Sequence, residues 1–293
     1  MTPTAVFLVL ISAAAHAYWN YLLKRAGGTR AFIALSKAAE AVVFLPAALA
    51  LAWRAPAGTL AGVGPFIALG TFFVLAGYVT LGAAYRVGDL SFIYPIARGG
   101  ALLFLPPLGW LAFGERVGPL GWIAIVCIVA GVLVMQLPAL RREAWRELAT
   151  QLRGPATLLA LLMALILGTS TIWDKYAVRS VSLWAYFYGY TACAGAGYLA
   201  WVVRAEGVPA VRAEWRAHRG AAITVGVLNT LSYGLALAAL RTGGSTYVVG
   251  LRQFSIAVGV WLGARLLGEH VSAPRRLGVS LLLCGCLLMA WGR

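Results

Sequence analysis

The chain has 293 residues, 61% of them hydrophobic and 11% charged, with a mean hydropathy of +0.84. Soluble domains carry roughly 25% charged residues, and here the apolar residues form runs of about 20 separated by short charged breaks, which excludes a soluble core and defines an all-α polytopic membrane protein. The net charge of +15 does not imply nucleic acid, because the arginines sit in the breaks rather than on one solvated face.

In chain order the first run, 3–24, lies within "MTPTAVFLVLISAAAHAYWNYLLKRAG". It is too long for a signal h-region and ends in Trp, Tyr and Lys, so it is read as a retained helix. Nine further spans follow at 31–53, 65–86, 91–113, 118–137, 155–174, 183–203, 221–241, 245–267 and 274–292. Each is near the ~20 residues that cross ~30 Å of hydrocarbon. Between the fifth and sixth, "RREAWRELATQLR" (141–153) is amphipathic and is expected along the membrane surface. "RAEGVPAVRAEWRAHRG" (204–220) reads as a basic loop. The expected organisation is a first unit at 1–137, a linker at 138–154 and a second unit at 155–293.

Lys and Arg number 15 in one set of alternate loops and 6 in the other; Lys37, Arg98 and Arg252 lie inside spans and complete the 24. The positive-inside rule puts the richer loops in the cytoplasm and both termini outside. Cys127, Cys193, Cys284 and Cys286 lie in apolar runs without metal or redox spacing, and are read as packing residues. No metal site is expected.

The chain also repeats itself. "AAYRVGDLSFIYPIARGGALLFLPPLGWLAFGERVG" (83–118) aligns with "AALRTGGSTYVVGLRQFSIAVGVWLGARLLGEHVS" (238–272). At an offset of 154, Arg98 meets Arg252, Glu115 meets Glu269, and Trp19-Asn20 meets Trp173-Asp174. Five spans in each half is an odd number, so the halves are expected as inverted repeats, the plan of many secondary transporters. Two five-helix halves with "FGE" and "LGE" after the fourth and ninth spans resemble the EamA branch of the drug/metabolite transporter superfamily, over essentially the whole chain. The resemblance implies ten transmembrane helices, a central cavity between the halves, and alternating-access transport of small metabolites such as amino acids. Export is the direction it implies, from the inner (plasma) membrane. Several charges at mid-depth set this chain apart from many members.

Arg98 and Arg252 each lie about 10 Å into their spans from opposite faces, which predicts guanidinium groups roughly 12 Å apart along the normal. A charge there costs at least ~2.5–3.5 kcal/mol on insertion scales, so each arginine is expected to grip an anion with two hydrogen bonds. The bland alternative is that each satisfies carbonyls freed by a broken helix near Pro95 and Gly99-Gly100. Lys37 and Glu40 pair at i, i+3, as a neutralised pair, or with Glu40 as a proton-coupling carboxylate or a contact for a substrate amine. His16, one turn before Asn20, is a third coupling candidate. Trp19, Asn20 and Trp173 fit either an interfacial belt or a substrate contact. Tyr78, Tyr94, Tyr233 and Tyr247 fall on spans that surround the cavity in the resembled family, and Gln253 and Asn229 join them as candidate substrate ligands. "GVWLG" (259–263) and "GYTACAGAG" (189–197) carry small-xxx-small spacing for helix packing, and Glu115 and Glu269 are read as loop caps.

The function expected is a secondary transporter of an amino acid or other carboxylate-bearing solute. The alternative is a flippase for a lipid phosphate or anionic lipid on the same fold. No G-x-x-x-x-G-K-[ST] occurs, so neither ATP nor any other cofactor is expected, and an enzyme is disfavoured for want of converging acid and base groups. The partners expected are the metabolite, the lipid bilayer and protons, with the chain a monomer or homodimer.

Overall fold

The computed structural model describes residues 1–56, 58–84, 86–87 and 90–292, without the side chains at 81, 82, 90, 91 and 94. The side chain of Tyr94, a candidate substrate ligand, therefore lies outside what is described. The described chain is helical throughout, with α1 (Pro3–Arg25), α2 (Arg30–Arg54), α3 (Val63–Ala84), α4 (Leu90–Phe113) and α5 (Pro119–Val134) in its first half. The short α6 (Arg142–Gln151) connects to α7 (Pro155–Ser180), α8 (Leu183–Glu206), α9 (Val208–Thr242), α10 (Ser245–Arg252), α11 (Phe254–Leu266) and α12 (Ala273–Trp291). Eight stretches among the described residues are long and apolar enough to cross a membrane. They leave out α5, an apolar helix of 16 residues, and α8, whose four tyrosines lower its hydropathy.

Local chemistry sets the helix starts. The Thr2 hydroxyl accepts from the Ala5 N–H at 3.2 Å, and that of Thr29 accepts from Phe32 N–H at 3.0 Å. Proline occupies the first turn of α1, α5, α7, α9 and α12, where its missing N–H costs nothing.

Three boundaries differ from the expectation. The 204–220 segment is not a loop: its Ala, Arg, Glu and Trp residues favour helix, and α9 runs from Val208 through a kink at His218. The helix break lies not near Pro95 but at Gln253. Pro95 stands in the second turn of α4 and forfeits one bond, whereas the Gln253 N–H turns back to the Gly250 carbonyl at 3.1 Å and separates α10 from α11. Finally, α7 continues to Ser180, so Asp174 lies six residues, roughly 9 Å, inside the helix instead of at its end.

Packing pairs α1 with α9, α4 with α7, α5 with α12, and α2 with both α8 and α9. Two glycines permit close backbone approaches. A Cβ on Gly131 of α5 would stand 2.6 Å from the Gly278 carbonyl of α12, and one on Gly226 of α9 would stand 2.7 Å from the Ser36 carbonyl of α2. The "GVWLG" glycines do not form such a contact: Gly259 faces open space and Gly263 abuts Glu269. In "GYTACAGAG" the expectation fits, since Gly195 approaches the Lys37 backbone of α2. α6 lays Ala144 and Leu148 on Leu137, as its amphipathic pattern requires.

The Met1 ammonium donates to the Gly292 carbonyl at 3.2 Å, so both termini share one end of the bundle. Lys24, at the far end of the 23-residue α1, marks the other end, roughly 35 Å away.

Candidate functional site

The polar interior is built on α1, α4, α7, α9 and α10. His16 of α1 is the hub: Arg98 Nη1 of α4 lies 2.6 Å from its Nε2, and Arg252 Nη2 of α10 lies 3.5 Å from its Nδ1. The expected 12 Å separation is therefore not found. The two long side chains, one from α4 and one from α10, instead meet across one imidazole. The electrostatics of that meeting are unusual. Arginine has only donors, and a neutral imidazole has one accepting nitrogen. If Nε2 accepts from Arg98, Nδ1 carries the proton, and an N–H then faces the Arg252 guanidinium.

Arg252 also donates to Ser232 Oγ at 3.3 Å and stands with Cζ 5.1 Å from the centre of the Tyr233 ring, in cation–π geometry. Beyond that ring lies a carboxylate. Asp174 accepts from Tyr233 at Oδ2 and from Tyr186 at Oδ1, both at 2.6 Å. Asp174 is 5% exposed and Tyr186 is fully buried. Ser12 and Ser232 exchange hydroxyl-to-carbonyl bonds of 2.6 and 2.8 Å, which locks α1 to α9 beside the hub. Gln253 donates to the Arg98 carbonyl at 3.2 Å, tying the α10–α11 break to α4.

A second polar station lies about one turn back along α9. Glu40 accepts from Lys37 Nζ and from Asn229 Nδ2, each at 2.9 Å, and so joins α2 to α9. It borders a cavity of about 170 Å³ between α2, α8 and α9, together with Phe44, Trp184, Phe187, Tyr188 and Thr191. Phe187 stacks on Tyr233 at 5.8 Å, which links this cavity to the Asp174 network.

Other candidates are distributed less centrally. Asn20 donates to the His16 carbonyl at 2.7 Å, and Trp19 meets the His16 ring edge-to-face at 4.9 Å, so both support the hub. Trp173 stacks on Phe66 at 5.2 Å and donates to its carbonyl. Tyr78 packs on Tyr198 at 4.8 Å. The Tyr247 hydroxyl accepts from the Gly118 N–H at 3.1 Å, which makes it an anchor for the start of α5. Asp174, the last residue of the expected sixth span, is legible in the sequence only as the acid at the position where the other half has Asn20.

The two repeat-equivalent glutamates do more than cap loops. At the end that holds the termini, Glu115 pairs with Lys175 of α7 and accepts from both the backbone N–H and hydroxyl of Ser245, at 2.9 and 2.6 Å. Lys175 also donates to the Gly243 carbonyl at 2.5 Å. At the opposite end Glu269 pairs with Lys24 of α1, with Arg275 at 3.5 Å. Each pair joins one half of the chain to the first helix of the other. The first is sheltered, with Lys175 4% exposed; in the second, Lys24 is 64% exposed. The Lys24 ammonium hydrogen-bonded to Glu269, aided by Arg275, holds that carboxyl below the usual range.

The chain is similar to known proteins in sequence and in fold. Residues 154–291 match the profile of the EamA-like transporter family, the family that the repeated motifs resemble. The spermidine export protein MdtI of Shigella flexneri is 34% identical over 64 residues, 22% of this chain and 59% of that protein. The chain thus spans under two thirds of that relative's length. A solved crystal structure of a protein superposes with a TM-score of 0.75 at 15% identity, covering 98% of this chain and 96% of that one, which speaks to the fold alone.

Proposed function

We propose that the protein is a secondary transporter that moves a small organic solute bearing a carboxylate, by alternating access, across the inner (plasma) membrane. The observation that carries this reading is the meeting of Arg98 and Arg252 on His16. Donors from two halves of the chain face each other inside the bundle, and an anion bound between them relieves their repulsion with charge-assisted hydrogen bonds. Arginine's planar fork suits a carboxylate in particular.

Alternating access is supported by the two ion pairs at opposite ends. The sheltered Glu115–Lys175 pair fits a closed gate, and the exposed Lys24–Glu269 pair fits an open one. Their equivalent positions in the repeated sequence support inverted five-helix halves, with ten crossings once α10 and α11 count as one span and α5 and α8 are included. The relative named for spermidine export handles a polycation. Two half-buried arginines oppose such a solute here, so an anionic or zwitterionic substrate fits this interior better.

A flippase for an anionic lipid is the second reading. A cavity of about 380 Å³ beside Phe44, Phe187 and the exposed Leu231 would house an acyl chain next to the polar interior. A thermal-shift screen of the purified protein against amino acids, organic acids, phosphonates and polyamines tests the assignment. Carboxylate-bearing compounds are expected to raise the melting temperature; stabilisation by polyamines alone would overturn it.

A further inference from the structure

We propose that Asp174 is the proton-binding group through which this protein couples solute movement to a proton gradient; the inference rests on the transporter reading and names its coupling site. Among carboxylates, Glu40 was the first candidate, but it is held by the Lys37 ammonium and the Asn229 amide. Asp174 is held differently. Both of its oxygens accept from phenols, and among the described residues no lysine, arginine or histidine nitrogen forms an ion pair with it.

The groups facing Asp174 can be named element by element. Helix α8 presents Tyr186, and behind it Tyr190, whose ring lies 4.9 Å from that of Tyr186 and 6.4 Å from that of Tyr233. Helix α9 presents Tyr233, and α10 presents Arg252 over the Tyr233 ring. Helix α3 brings Gly70 against the Tyr186 hydroxyl and contains no charged residue. The charge on α4 is Arg98, which is engaged on His16.

This shell accepts both charge states without rearrangement of heavy atoms. Ionised, the carboxylate takes one hydrogen bond from each phenol. Protonated, it donates to one phenol oxygen and still accepts from the other, because a tyrosine hydroxyl is donor and acceptor at once. The step is a simple transfer: a hydronium ion gives one proton to a carboxylate oxygen, leaving water and a neutral carboxyl. A carboxylate whose neighbours were lysine or arginine alone would have no acceptor for that proton.

Coupling follows from Arg252. It lies over the ring of Tyr233, whose hydroxyl donates to Asp174, and it reaches His16 at the hub where the solute's anionic group is proposed to sit. With Asp174 ionised, part of the Arg252 field is already answered. With Asp174 neutral, that field is available to an incoming anion. Proton and anion are therefore taken up together, each favouring the other's binding. The equivalent position in the first half is Asn20, an amide that does not titrate, so this position can bind a proton in one half alone.

The test is infrared difference spectroscopy of the full-length protein in lipid nanodiscs, with no solute present, on acidification. The parent is expected to gain a protonated-carboxyl C=O band that is lost in Asp174→Asn. Tyr233→Phe, which removes one phenol while keeping the ring, is expected to shift that band's frequency and midpoint. A band unchanged in Asp174→Asn, or unmoved in Tyr233→Phe, overturns the proposal. Solute flux into proteoliposomes judges the transporter reading separately, since the band is recorded without any solute.

Discussion

Glu115 and Glu269 stand at equivalent positions in the repeated sequence and each pairs with a lysine, yet their surroundings predict very different costs of neutralisation. In Glu115→Gln the Lys175 ammonium, 4% exposed, keeps the Gly243 carbonyl and the Phe113 ring, 5.5 Å away, but faces an amide instead of a carboxylate. Removing one partner of a buried pair typically costs 3–5 kcal/mol. The retained carbonyl partner puts the expected loss near the low end, about 3 kcal/mol. Glu269→Gln removes a pair whose lysine is largely solvated, and is expected to cost under about 1 kcal/mol. Equilibrium unfolding in mixed micelles, followed by helical ellipticity, measures both. The double variant Glu115→Gln/Lys175→Met leaves no stranded charge and should recover much of the stability lost in Glu115→Gln. Equal losses in the two single Gln variants would refute the reasoning, as would a double variant weaker than Glu115→Gln alone.

Protonation offers a further check at the other end. Because its carboxyl is held below the usual range, Glu269 stabilises the folded state above the unfolded carboxylate value, and that contribution is lost as pH falls through the lowered native value. Acidification through that window should separate a spectroscopic pair of labels placed at the Lys24 end in the parent but not in Glu269→Gln, where the contact is already weakened. Gly226→Ala should destabilise the protein by about 1–3 kcal/mol in the unfolding assay, because the new Cβ meets the Ser36 carbonyl and Glu40 backbone of α2. Gly259→Ala, facing open space, should be neutral or slightly stabilising.

Much of the architecture was legible because lipid solvent leaves a strong mark: apolar runs of membrane length, bounded by Arg and Lys, coincide with the long helices. The errors have physical causes. The sixth span was cut at residue 174 because Asp174 and Lys175 end the apolar run. Helix α7 continues since Lys175 is neutralised by Glu115 and Asp174 is satisfied by two phenols, neither visible in local hydropathy. The basic segment at 204–220 looked like a loop because charge was read as irregularity, although its residues favour helix. Within the site, the repeat identified Arg98 and Arg252 as a pair. Counting depth along straight helices then kept them apart, since it ignored how far two arginine side chains reach. His16 was noticed only as a titratable group on the Asn20 face, and its position between the arginines is a three-helix property that no local pattern encodes.

The measurement that bears most directly on the central claim is uptake of radiolabelled small carboxylates into proteoliposomes by the parent, Arg98→Gln and Arg252→Gln. Losing one charged hydrogen bond costs ~1.5–3 kcal/mol, or roughly 10- to 150-fold in affinity. Because both guanidinium groups meet on the His16 ring, each variant should raise the apparent Km for the same solute by about that factor, from either side of the membrane, with Lys in place of Arg rescuing only in part. Variants that take up carboxylates like the parent, or a parent that moves only amines, would contradict the account.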